Sequence, residues 1–230
     1  MLFRSMGSTT PPLPDELRAA ILGDLKPVKA LPPPWKRLAL AAPILIGVLV
    51  MPFVYNQVRE IGDLGVLLSW VPVAVQLLLA IGLLVIALRE GVPGWRVSTR
   101  LIFAMVLAAY SLQLLVNLLM FTRMAVNAGP RGATDMWMSC LRVESLIGIP
   151  LLVLVAWLVS RALPCRPLLA GFLAGTGAGI AADASWRMIC PNSEPGHVFL
   201  GHTGGILTLG LTGFLLGYVA SVYHLVPTPD

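Results

Sequence analysis

Residues 167–205 open with Pro167-Leu-Leu-Ala-Gly-Phe-Leu-Ala-Gly-Thr-Gly-Ala-Gly-Ile-Ala-Ala-Asp-Ala184. A polar loop follows, Ser185-Trp-Arg-Met-Ile-Cys190-Pro-Asn-Ser-Glu-Pro-Gly-His197, and then a second apolar run beginning Val198-Phe-Leu-Gly-His202-Thr-Gly-Gly205. The first run approaches the length of about 20 apolar residues that crosses a bilayer, with a single acid, Asp183. It reads as a membrane helix. Gly171, Gly175 and Gly179 recur every fourth residue and leave a bare strip on one face, where a neighbouring backbone can approach closely. Gly201 and Gly205 give the second run the same character. The Gly175-Thr-Gly177-Ala-Gly179 run is not read as a dinucleotide loop, because no strand precedes it.

The whole chain fits this reading. With 57% hydrophobic and 12% charged residues among 230, one soluble core cannot hide the apolar surface. The expected fold is an all-α integral membrane protein with six transmembrane helices. The apolar segments lie near residues 38–55, 66–88, 101–121, 146–159, 167–184 and 198–223. Residues 1–37 form a short cytoplasmic N-terminal tail, 38–223 the six-helix bundle and 224–230 a C-terminal tail. The first 37 residues hold no apolar core of signal-peptide length, so the first span is expected to act as the targeting signal. Pro52 and Pro72 are expected to kink the first two spans, and Pro43 either kinks the first or lies close enough to its start to be harmless.

Placing both termini in the cytoplasm puts eleven of the sixteen Lys and Arg residues on the inner side and five on the outer. This balance favours both termini in the cytoplasm. The net charge of +5 then reflects topology and lipid headgroup contact. No basic patch interleaved with aromatic residues argues for direct nucleic-acid binding.

In the tail, Leu17, Ile21 and Leu25 fall at four-residue spacing behind Asp15 and Glu16, which suits one short amphipathic helix over 15–25. So short a helix is marginal alone in water and needs a surface to lean on. Two surfaces are open: the inner leaflet, or the groove of a partner protein. With Val28 in the spacer that follows, these apolar residues are the candidate partner-binding set. Lys26-Pro-Val-Lys-Ala-Leu-Pro32-Pro-Pro34 is expected to be an extended spacer.

Chemistry centres on sulfur. On this topology Cys140 and Cys190 share the outer, oxidising side and Cys165 faces the reducing side. Arg142 and Arg187 are near the outer pair in sequence, and a cationic neighbour makes a thiol more reactive. Met138, with Met136 and Met188, adds soft sulfur, and His197 or His202 could add nitrogen, so Cys140, Cys190, His197, His202 and Met138 form a candidate site for a soft metal ion. Three readings stay open for the cysteines: a redox- or metal-responsive pair, a static disulfide, or inert small residues. His202 reads as a packed interfacial residue and His197 as solvent-facing. Asp183 is expected to pair with Arg187 one turn later, and Glu144 with Arg142, a gating or proton-sensing role being the alternative for each. Gln113 and Asn117, one turn apart, read as interhelical packing contacts. No Ser/His/Asp set, HExxH or CxxC is present, so the chain is not expected to be an enzyme or to require a cofactor.

Three stretches together resemble a known family: Asp24-Leu-Lys-Pro-Val-Lys-Ala-Leu-Pro-Pro-Pro-Trp35, Ser139-Cys140-Leu141, and Leu169-Ala-Gly-Phe-Leu-Ala-Gly175 running on through Cys190-Pro191 to His202-Thr-Gly-Gly-Ile206. They are similar to the NrsF-type negative regulators of extracytoplasmic-function sigma factors, six-helix anti-sigma factors of the inner membrane. The resemblance implies that the N-terminal segment holds a sigma factor inactive at the membrane. It also implies that the two outer cysteines help to sense a stress such as heavy metal or oxidant. The alternative class is a small transporter or membrane enzyme with a polar path through Gln113, Asn117 and Asp183.

Overall fold

The computed structural model describes residues 14–24, 31–54, 65–92, 96–124, 136–162, 164–190 and 195–224. Among these residues there is no strand. The helices are α1 (Asp15–Asp24), α2 (Pro34–Ala39), α3 (Ala42–Val54), α4 (Gly65–Glu90), α5 (Thr99–Met124), α6 (Met136–Ser160), α7 (Pro167–Trp186), α8 (Pro195–His197) and α9 (Gly204–His224). A π-helical turn, Val198–Thr203, joins the last two. Two compact units divide the chain, residues 1–31 and 32–230.

In the first unit α1 carries Asp15 and Glu16 in its first turn, where the positive end of the helix dipole favours acids. Leu17 and Leu22 are exposed on it. The side chain of Ile21, and all of Leu25 and Val28, lie outside the described residues.

In the second unit α7 is the axis. Every residue from Leu173 to Ser185 is buried by the protein's own atoms, so α7 faces protein on all sides. Its small side chains are the reason. Helix backbones come within van der Waals reach only where Cβ atoms are missing or minimal. A Cβ on Gly171 would collide with the backbone of Gly213, one on Gly175 with the carbonyl of Leu209, and one on Gly179 would stand 2.8 Å from the Cα of Ile206. The four-residue stripe therefore descends α9 turn by turn. Gly177 faces the other way, where a Cβ would sit 2.9 Å from Cγ of Leu84 on α4. Gly201 packs on Trp137 and Cys140, and Gly205 on Glu144, so these two glycines seat the start of the last span against α6.

Among the described residues five helical stretches are long and apolar enough to cross a membrane: Trp70–Glu90, Thr99–Leu118, Trp137–Ser160, Pro167–Trp186 and Val198–Tyr223. The first apolar segment differs from the expected continuous span. Helix α2 stops at Ala39, Leu40 and Ala41 form a turn, and α3 restarts at Ala42 with 13 described residues. Pro43 explains the restart. It sits in the first turn of α3, where a missing N–H costs nothing, and it could not continue α2.

Gly175→Ala tests the close approach of α7 and α9. The added methyl has no space, and the detergent-solubilised protein is expected to lose about 1–3 kcal/mol of stability, read as a lower melting temperature. Gly47→Ala, which meets nothing within 4 Å, should leave melting unchanged or slightly raised.

Candidate functional site

Four chemically reactive side chains converge at one end of the bundle. Cys140 lies just over one turn into α6, and Cys190 follows the turn that ends α7, its N–H bonded to the carbonyl of Trp186 at 2.9 Å. His197 closes α8 and His202 lies in the π-helical turn. One ligating atom from each lies within 4.8 Å of the others, and all four residues are buried. The two Sγ atoms are 3.7 Å apart, and Sγ of Cys190 is 3.2 Å from Nε2 of His197.

The π-helical turn brings the two imidazoles together. In an α-helix residues five apart diverge by about 140° around the axis. With i to i+5 bonding that divergence is reduced, and the two rings meet edge to face. Their ring centroids are 5.7 Å apart. His197 is 1% exposed, which corrects the expectation that it faces solvent.

Behind the cluster stands Asp183, fully buried near the end of α7. Its carboxylate accepts from Nε and Nη2 of Arg187 at 3.0–3.1 Å, from Nε2 of Gln76 at 2.7 Å, and meets Nδ1 of His202 at 2.8 Å. The expected pair with Arg187 is present, but it is one part of a larger network. Arg187 also donates to Asn117 Oδ1 at 2.8 Å, and Asn117 reaches Thr203 Oγ1 at 3.3 Å. Gln76 bridges to Gln113 at 2.7 Å. Gln113 and Asn117 thus bond across helices as expected, and Gln76 on α4 is a member that the sequence reading missed. Nothing in its apolar surroundings Val71 to Leu79 marks it except its own polarity inside a span.

Glu144 departs from expectation. It points inward from α6, with an oxygen 3.6 Å from Nδ1 of His202, while Arg142 is exposed and donates to Sδ of Met138 at 3.4 Å. The expected pair of Glu144 with Arg142 is not formed. Met138, two residues before Cys140 on α6, is exposed. Cys165 is exposed ahead of α7. The 20 residues of α7, about 30 Å, separate it from the cluster end.

The opposite end is closed by two arginines. Arg37 on α2 is buried and donates to the carbonyl of Leu88 near the end of α4, at 3.2 Å, and to the carbonyl of Leu158 near the end of α6. Carbonyls at helix C-termini lack partners and carry partial negative charge, which is why a cation seats there. Burial alone lowers the affinity of this guanidinium for its proton below the ordinary value. Arg166 pairs with the buried Glu90 at 3.0 Å, and Glu90 accepts from the N–H of Val97 at 2.7 Å. The root of the tail is therefore bonded to the same helix that carries Cys140.

Fold and cluster together define a helical, polytopic membrane protein with a thiol and imidazole site buried at one end of its bundle. Residues 22–220 match the family described as Negative regulator of sigma F, NrsF, and the chain belongs to that family. It is 32% identical over 170 residues to the Probable anti-sigma-F factor NrsF of Azospira oryzae, an overlap of 70% of this chain and 76% of that protein. It is 34% identical over 77 residues to the Anti-sigma-F factor NrsF of Caulobacter vibrioides, 34% of this chain and 36% of the relative. No solved structure matches the chain.

Breaking one half of the Asp183 and Arg187 pair leaves a buried charge without its partner. Asp183→Leu is expected to cost about 3–5 kcal/mol, whereas the double variant Asp183→Leu/Arg187→Met should recover much of that loss. Melting of the two proteins in the same detergent reads the difference.

Proposed function

We propose that this protein is a non-enzymatic, membrane-bound anti-sigma factor. Its N-terminal tail sequesters an extracytoplasmic-function sigma factor, and heavy-metal or oxidative stress at Cys140 and Cys190 releases it. The observation that carries the reading is the family match, which begins at residue 22 inside the tail and runs through the bundle to residue 220. The names of the relatives from Azospira oryzae and Caulobacter vibrioides agree with it. In this reading the bundle has six spans, lies in the bacterial inner membrane, keeps both termini in the cytoplasm and presents the two cysteines to the periplasmic side. The excess of Lys and Arg in the segments assigned to the cytoplasm supports that orientation.

Leu17 and Leu22 on α1 offer an exposed apolar surface that needs a partner, as an isolated helix of ten residues does. Chemistry at Cys140 acts on one end of α6, and Leu158 near the other end holds Arg37 at the base of the tail. A signal is transmitted only if the modified and unmodified cluster favour different conformations, and α6 is the element both groups share.

Full-length protein in detergent should retain the sigma factor during co-purification, and Leu17→Glu/Ile21→Glu should weaken retention at least tenfold. Equal retention by that variant would remove the docking role of α1. In cells, Cys140→Ser/Cys190→Ser should abolish induction of a reporter for the sigma factor by cadmium or oxidant. Undiminished induction would remove the sensing role.

A further inference from the structure

We propose that Cys140, Cys190, His197 and His202 form a closed, four-ligand site for a thiophilic divalent ion of the zinc or cadmium kind, and that Asp183 is the positioning residue that orients His202. This inference deepens the proposed function, on which its regulatory meaning rests, by naming the chemical class of the signal and adding two imidazoles and a carboxylate to the two sulfurs.

The donor set fits such an ion. Two thiolates and two imidazoles are a combination that d10 ions bind tetrahedrally. With metal–sulfur bonds of about 2.3 Å, a tetrahedron separates its two sulfurs by about 3.8 Å. The sulfurs here are 3.7 Å apart. A sulfur and an imidazole nitrogen on the same ion lie about 3.6 Å apart, and Cys190 Sγ and His197 Nε2, now at 3.2 Å, need to part only slightly. The four ligating atoms come from three places in the chain, the start of α6, the end of α7 and the entrance to α9, so an ion would tie those three segments together. Four protein ligands leave no open position, which is the mark of a structural or sensory site and not of a hydrolytic one.

Asp183 supplies the second observation. An ionised carboxylate only accepts, so Nδ1 of His202, 2.8 Å away, carries the proton and the lone pair of Nε2 is left for the metal. Metal-bound histidines commonly hand their other N–H to a carboxylate in this way, which fixes both tautomer and ring orientation. Arg187 and Gln76 hold the carboxylate in turn. Binding is not a redox step. The ion gains two sulfur and two nitrogen bonds, the two thiols release their protons to solvent, and no electron moves.

Reduced, full-length protein in detergent, with no sigma factor present, is titrated with Cd2+ alone against a chromophoric chelator, and with Co2+ for its ligand-field spectrum. The expected result is one ion per chain, release of two protons, and a tetrahedral sulfur and nitrogen spectrum for Co2+. His197→Gln and His202→Gln should each weaken Cd2+ binding at least tenfold, and Asp183→Asn by about 10- to 100-fold with both histidines present. Melting of each metal-free variant checks its fold. Should Asp183→Asn fail to fold, Asp183→Asn/Arg187→Met, which also removes the guanidinium that Asp183 paired, takes its place. Unchanged affinity in both histidine variants, or no binding by the reduced protein, would overturn the site. Unchanged affinity in the Asp183 variant would overturn the role of that residue. Because metal binding is read without the sigma factor, these outcomes are distinct from failure of the anti-sigma reading, in which the ion binds as described but retention of the sigma factor is unaffected.

Discussion

The carboxylate of Asp183 is the constraint around which the polar half of the molecule is arranged. A charge wholly removed from water is tolerated only when it is paired and hydrogen-bonded, and Asp183 meets Arg187, Gln76 and His202 at once. Those partners come from the end of α7, the middle of α4 and the entrance to α9. Arg187 and Gln76 extend the network to Asn117 and Gln113 on α5. Four helices are thus fixed in rotation by one buried group. Apolar packing between spans is permissive about rotation, whereas hydrogen bonds with direction are not. The same arrangement sets the imidazole of His202 beside two thiols.

Close helix contact makes that arrangement possible. Glycine and alanine on α7 let α9 and α4 lie against its backbone, so the polar groups need only short side chains to meet. Larger residues there would hold the helices apart and leave Asp183 short of its partners. At the far end Arg37 caps the carbonyls of α4 and α6. One helix, α6, therefore carries a thiol near one end and the seat of the tail's base near the other. With 25 residues it spans about 37 Å. The base of the tail is fixed to the bundle through Arg37.

Much of the bundle was legible in the sequence. The apolar runs gave the long spans, the four-residue glycine repeat marked a face of α7 for close helix approach without naming α9 as the helix that fills it, and the placement of Cys140 and Cys190 at one end followed from where their spans start and stop. The Asp183 to Arg187 pair followed from helical spacing. His197 was misread because its neighbours Pro195 and Gly196 signal a loop. The π-helical turn that carries its ring inward, beside that of His202, has no residue signature. Glu144 was assigned to Arg142 by nearness in sequence, but i to i+2 neighbours on a helix face different directions. The break at Leu40 was masked by an unbroken apolar run, although the place of Pro43 close to a helix start was legible. Arg37 looked like one more cytoplasmic cation. Its burial depends on two helix ends that meet only in the folded bundle.

The adjacency of Cys140 and Cys190 underlies both the proposed sensing and the proposed metal site, and a short bifunctional thiol reagent tests it most directly. In native membranes, with Cys165→Ser removing the third thiol, the reagent is applied to the reduced protein and the peptides are identified by mass spectrometry. An intramolecular bridge between Cys140 and Cys190 is the expected product, absent from the Cys140→Ser and Cys190→Ser variants. Two singly modified cysteines, or bridges only between chains, would contradict the arrangement.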